Sequence, residues 1–185
     1  MSRTHTVKLN PVFTSTATGE RYYTPVPLQW DLRYVPSRSA QLTEGRRISP
    51  YFSQPATSPP LPKLRLICDL LFPEWEIVAH NPTGVTVEDV LNAIYETLHE
   101  RLEMHEWERL SSKQRSRIED IYHARCMASS DPERAHLGGV RRADYLITTT
   151  MFAGLTSLVK RGREWQVVLT LSRDFRQVPT FAQRR

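Results

Sequence analysis

Nine of the 13 prolines in this 185-residue chain fall within its first 62 residues. Proline removes a backbone donor and its ring collides with the preceding turn, so a helix of any length is excluded from that stretch. Extended chain and loops remain. The strand candidate there is Val26–Tyr34, in which Val26, Leu28, Trp30, Leu32 and Tyr34 alternate with Pro27, Gln29, Asp31 and Arg33. Period-two alternation predicts a half-buried strand, and Pro27 on its polar face predicts an edge position. A Pro-rich loop over residues 36–62 would follow.

Beyond Pro62 the texture changes. Leu64, Leu66, Ile67, Leu70, Leu71 and Phe72 form an apolar block stopped by Pro73, and Trp75–Val78 reads as a second strand. Asn81-Pro82-Thr83-Gly84 is a turn by composition. Thr86 with Asp89 three residues later is a capping-box variant, and Val85 and Val90 stand where a hydrophobic staple would be. Val87, Val90, Leu91, Ile94, Tyr95, Leu98 and Leu102 recur at helical spacing and predict a helix over 87–102. Ser111 with Gln114 opens a second helix, 112–127, with a thinner stripe of Ile118, Ile121, Tyr122 and Cys126. Asp131-Pro132 and Gly138-Gly139 predict the bounds of a loop. Trp165, Val167, Leu169 and Leu171 alternate as a strand, and Arg161-Gly162 predicts a hairpin turn joining it to Leu155–Lys160.

These elements predict an α+β fold. Its small mixed or antiparallel sheet would draw on the Trp30, Ile77 and Val167 segments, with both helices on one face. A chain this long can bury about 70 % of its unfolded surface, so one domain over 25–172 is expected. A variable segment over 1–24 would precede it and a loose Arg-rich tail over 173–185 would follow. Trp30 and Trp165 are expected in the core.

The net charge of +5 is unevenly spread: +4 over residues 1–62, −5 over 63–132 and +6 over 133–185. Mixed fields of this kind predict weak, non-specific attraction for nucleic acid at most, and no RNA- or DNA-binding signature accompanies the basic clusters. The longest uncharged runs, Tyr145–Val159 and Ile48–Pro62, are too short and too broken for a membrane span. The first residues lack an apolar stretch of secretory type, so an intracellular location, cytoplasmic or nuclear, is expected. Two cysteines, Cys68 and Cys126, are too few for a disulfide framework or a four-cysteine zinc site, and both are expected to be buried and inert.

The order of motifs is distinctive. Gln29-Trp30-Asp31-Leu32-Arg33, Gln54-Pro55-Ala56-Thr57-Ser58-Pro59-Pro60-Leu61-Pro62 and Gly84-Val85-Thr86-Val87-Glu88-Asp89-Val90-Leu91 come first. Gly139-Val140-Arg141-Arg142-Ala143-Asp144-Tyr145-Leu146 and Phe152-Ala153-Gly154-Leu155 follow. This series resembles a family of fungal proteins, chiefly from mushroom-forming basidiomycetes, classed as a domain of unknown function, and the likeness covers roughly residues 7–172. It implies one intracellular α+β domain and carries no reaction or catalytic residue with it.

The residues themselves give little chemistry. His99-Glu100-x-x-Glu103 resembles half of a metalloprotease helix motif, with His105 further on. His99 and Glu103 share a helix face without a converging third ligand, so solvated side chains and no metal are expected. There is no G-x-S-x-G elbow and no glycine-rich phosphate loop, so no catalytic residue and no cofactor are expected. Arg141, Arg142, Asp144 and Tyr145 are the candidate anion- or partner-binding residues, because two guanidiniums beside a phenol suit a carboxylate or phosphate. Polar clusters are also often structural networks, and an internal pair between Asp144 and an arginine such as Arg33 is the preferred expectation. The leading functional expectation is a non-catalytic protein-interaction module. Alternatives are a small-molecule or anion-binding domain centred on Arg141–Tyr145, and weak nucleic-acid binding.

Overall fold

The proline-rich region folds into short pieces. A computed structural model describes residues 6–17 and 23–173; parts of the expected N-terminal segment (1–5, 18–22) and nearly all of the expected tail (174–185) lie outside the described residues. The short strands are β1 (Lys8–Leu9), β2 (Thr16–Ala17), β3 (Tyr23–Thr24), β4 (Leu28–Gln29), β5 (Gln41–Leu42) and β6 (Thr57–Ser58), with a one-turn helix α1 (Pro36–Ser39). They pair as β1–β6, β2–β3 and β4–β5. The expected strand over Val26–Tyr34 is therefore cut to two residues. Its burial pattern survives, with Leu28, Trp30 and Leu32 at 1 % exposure or less. The backbone turns at Asp31 because that side chain accepts the Arg33 N–H at 3.1 Å, an Asx turn competing with the strand. Before it turns, the segment lies along the start of a longer strand through Phe152 N–H to Trp30 O and Leu32 N–H to Thr150 O.

The main sheet comprises β7 (Lys63–Ile67), β8 (Ile77–His80), β9 (Met151–Arg161) and β10 (Glu164–Ser172), in the order β8–β7–β10–β9. The β7–β10 pair is parallel and the others antiparallel, so the sheet is mixed. Leu64, Leu66, Ile77, Ala79, Val167, Leu169 and Leu171 bury one face. The alternate positions carry surface ion pairs, Lys63–Glu164 and Arg65–Glu76, each at 2.6 Å; solvated pairs of this sort contribute little. Trp165 departs from expectation. It is half-buried, packed against the core's margin beside Lys160 near the hairpin end.

Between β8 and β9 run α2 (Val87–His99), α3 (Met104–Glu108), α4 (Ser112–Met127), α5 (Pro132–Leu137) and α6 (Arg142–Tyr145). Helix α2 starts as the sequence predicts: Thr86 Oγ1 accepts the Asp89 N–H, and Asp89 accepts the Thr86 N–H at 2.9 Å. Its stripe is buried against the core. It stops at His99, three residues short of the predicted end, with Leu102 buried in the non-helical chain beyond. Helix α4 has the predicted bounds, but of its stripe Ile118 and Cys126 alone are fully buried; it rides outside α6 rather than directly on the sheet. The expected loop at 131–138 contains α5, capped by Asp131 and opened by Pro132 at its first turn. Proline fits that position because its missing N–H has no helical partner to lose. Among the described residues, nearly all buried apolar side chains join one cluster reaching from Val12 and Phe13 to Leu171.

Candidate anion-binding cleft

Helix α6 is a single turn, yet it organises this end of the molecule. Arg141 precedes it and Asp144 reaches back to accept the Arg141 N–H at 2.9 Å, a capping contact that closes the turn. The same carboxylate, 1 % exposed, takes both forks of Arg125 from α4, Nε and Nη2 each at 2.8 Å. Arg125 Nη2 also donates to the Gly139 carbonyl at 2.9 Å. The Asp144 hydrogen bonds are the leading cause holding the Arg125 guanidinium above its ordinary pKa. Asp144 is therefore paired internally, as preferred from sequence, but with Arg125. Arg33 instead grips Asp31 two residues before it.

Arg142 and Tyr145 face the other way. Arg142 pairs with Glu100 and lies 3.5 Å from buried Glu106, with its guanidinium 5.1 Å from the Trp75 ring centroid. Tyr145 packs against Trp75 and Phe72 with centroids 5.3 Å away. Glu106 also accepts the Trp75 indole N–H. These contacts fasten α6 to α3 and to the loop before β8. The four candidates thus divide: Arg141 and Asp144 on one side of the turn, Arg142 and Tyr145 on the other.

The Arg141 side opens on a cleft of about 700 Å³ lined by Arg33, Tyr34, Arg125, Arg134, Arg141 and Asp144 together with the small and polar residues of the α4–α5 connection. Gly139, whose carbonyl holds Arg125, has a φ of 69°, the left-handed region that favours glycine; a Cβ there would meet Arg101 Nε at 2.9 Å. His99 is not solvated. Nδ1 lies 2.8 Å from the Tyr95 carbonyl and Nε2 3.2 Å from the Arg33 carbonyl, so the imidazole ties the Arg33 turn to α2. Burial lowers its pKa, and Arg141 and Arg125 lower it further against the two carbonyls. Glu103 starts α3 and His105 is exposed. Among the described residues no three His, Cys, Asp or Glu side chains are placed to hold a metal ion.

Arg33, Tyr34, Arg125 and Arg134 were not candidates from sequence. Arg125 had a readable signal: it falls on the α4 stripe at the spacing of Ile118 and Ile121, where a lone charge implies a buried partner. Arg134 had no such signal.

A model for a family of unknown function, DUF6699, matches residues 28–165. The chain belongs to this family. No curated protein and no solved structure matches it. The DUF6699 region begins at β4 and ends at Trp165, so it contains every residue of the cleft and both halves of the α6 network.

Proposed function

We propose that this DUF6699 domain is a non-catalytic, intracellular protein-interaction module, and that an anionic group of its partner docks in the arginine-lined cleft. The observation that carries the reading is the state of the cleft's guanidiniums. Arg33 and Arg125 are neutralised by Asp31 and Asp144. Arg134 and Arg141 have no carboxylate partner among the described residues. Arginine is the side chain suited to gripping carboxylate or phosphate through its planar fork. Exposed Tyr34 and Val35 stand beside it, and Tyr with Arg is the pairing enriched at protein interfaces. Two free thiols, half-buried Cys68 and buried Cys126, suit a reducing compartment. No helix among the described residues is long and apolar enough to cross a membrane.

The test compares partners captured by wild-type protein with those captured by an Arg134→Ala/Arg141→Ala double variant. A defined set of partners lost by the variant, at unchanged melting temperature, supports the reading. Identical capture by both proteins refutes it.

A further inference from the structure

Arg101 and Arg141 stand directly opposite each other in an antiparallel bridge, framed by Leu102 N–H to Val140 O and Arg142 N–H to Glu100 O. Residues so placed present their side chains on the same side, and like charges there are destabilising. The usual relief is a carboxylate between them. Here neither guanidinium has a carboxylate partner among the described residues, nor does Arg134 in the adjoining wall. Arg141 Nη2 passes 3.9 Å from where a Gly138 Cβ would stand, and Arg101 lies over Gly139, so the two guanidiniums lie against adjacent glycines. The carbonyl end of α5 is also there, but a helix end offers a partial charge of about −0.5 at most, against three full positive charges. Asp131, the remaining carboxylate in the wall, is occupied at the opposite end of α5 as its cap, accepting the Arg134 N–H at 3.0 Å.

Even with the Asp131 charge and the helix end counted, the arrangement is short of about 1.5 negative charges. A carboxylate brings one charge on two oxygens, enough to neutralise a single guanidinium. A phosphate monoester brings about −1.5 to −2 and three acceptor oxygens, enough to engage more than one fork. We infer that the anionic group is a phosphate monoester on a side chain of the partner, received by the lining residues Arg134 and Arg141 at the margin of the cleft where Arg101 pairs with Arg141. The inference rests on the anion-docking reading above and names its ligand.

The experiment titrates the full chain with degenerate peptide pools centred on phosphoserine, phosphothreonine or phosphotyrosine, and with the same pool centred on glutamate. Inorganic phosphate and a single-stranded RNA serve as competitors. At least one phosphorylated pool is expected to bind tenfold or more tighter than the glutamate pool and to be displaced by inorganic phosphate. Arg101→Gln and Arg141→Gln should each weaken that binding tenfold or more. Neither should lower the melting temperature, and removing one of two like charges should raise it slightly. Equal binding of phosphorylated and glutamate pools, undiminished binding in both variants, or displacement by RNA more readily than by phosphate would each overturn the inference. Equal binding of the pools would leave the partner-capture comparison intact, so failure over phosphate is distinguishable from failure of the docking site.

Discussion

Removing Asp144 tests whether the Gly139–Leu146 motif is structural at its centre. Asp144→Ala deletes a carboxylate that is 1 % exposed and accepts three hydrogen bonds, two from Arg125 and one from the Arg141 N–H. The Arg125 guanidinium is left behind with 23 % of its side chain exposed. Breaking a buried ion pair from one side costs about 3–5 kcal/mol because the survivor keeps an uncompensated charge. Water reaches Arg125 in part, so the low end applies, and the orphaned Arg141 N–H adds at most about 1 kcal/mol. The expected loss is about 3–4 kcal/mol, a large share of the roughly 5–15 kcal/mol that such domains possess. Arg125→Met should cost at least as much, because it strands the more deeply buried partner. The Asp144→Ala/Arg125→Met double variant should recover much of either loss, since no charge is then stranded. Urea unfolding monitored by tryptophan fluorescence gives the four free energies of the cycle. If Asp144→Ala stays within about 1 kcal/mol of wild type, or the coupling energy is under about 0.5 kcal/mol, the pair does not hold this end of the fold together.

Two further outcomes are expected. Trp30→Ala should cost roughly 3–5 kcal/mol through lost transfer energy and the cavity left behind, whereas half-buried Trp165→Ala should cost about 1–2 kcal/mol from transfer alone; equal losses in urea unfolding would contradict the burial difference. His99, whose pKa burial depresses, binds its proton more readily in the unfolded chain. Its contribution is therefore fully present above the ordinary value of 6.5 and is lost as the pH falls from there toward the folded-state pKa. The unfolding midpoint should drop between about pH 7.5 and pH 5 by more in wild type than in His99→Gln, and parallel profiles would sink the assignment.

The elements whose evidence is local were legible. Helix α2 carries its own cap and a continuous stripe, and β10 carries its own alternation, so neither depends on a distant partner to be recognised. The Val26–Tyr34 alternation foretold which side chains are buried and misjudged the backbone, because one Asp31 hydrogen bond ended the strand. Asp131-Pro132 reads equally as loop punctuation and as a helix start, and in the fold it starts α5. Trp165 has the right register but lies too near the hairpin end to be covered, which alternation does not register. The cleft is legible at Arg141 and Asp144; Arg33 is marked by its motif only as a partner for Asp144, and nothing in the neighbourhood of Arg134 marks it.

The parallel contact between β7 and β10 governs when this chain can acquire its sheet. Strand β8 lies close to β7 in sequence, but the other edge of β7 waits for a strand near the far end of the described chain; the Lys63–Glu164 pair closes 101 residues. Bringing such distant ends together costs about 4 kcal/mol of chain entropy before any pairing repays it. Pairings this remote also slow folding. On the ribosome, β7, β8 and α2 emerge well before β10 and present Leu64 and Leu66 beside an unfilled strand edge, a template for adhesion between nascent chains. The window closes when the β9–β10 hairpin clears the exit tunnel, so yield of native protein should respond to chaperone supply more than the finished fold's stability would suggest.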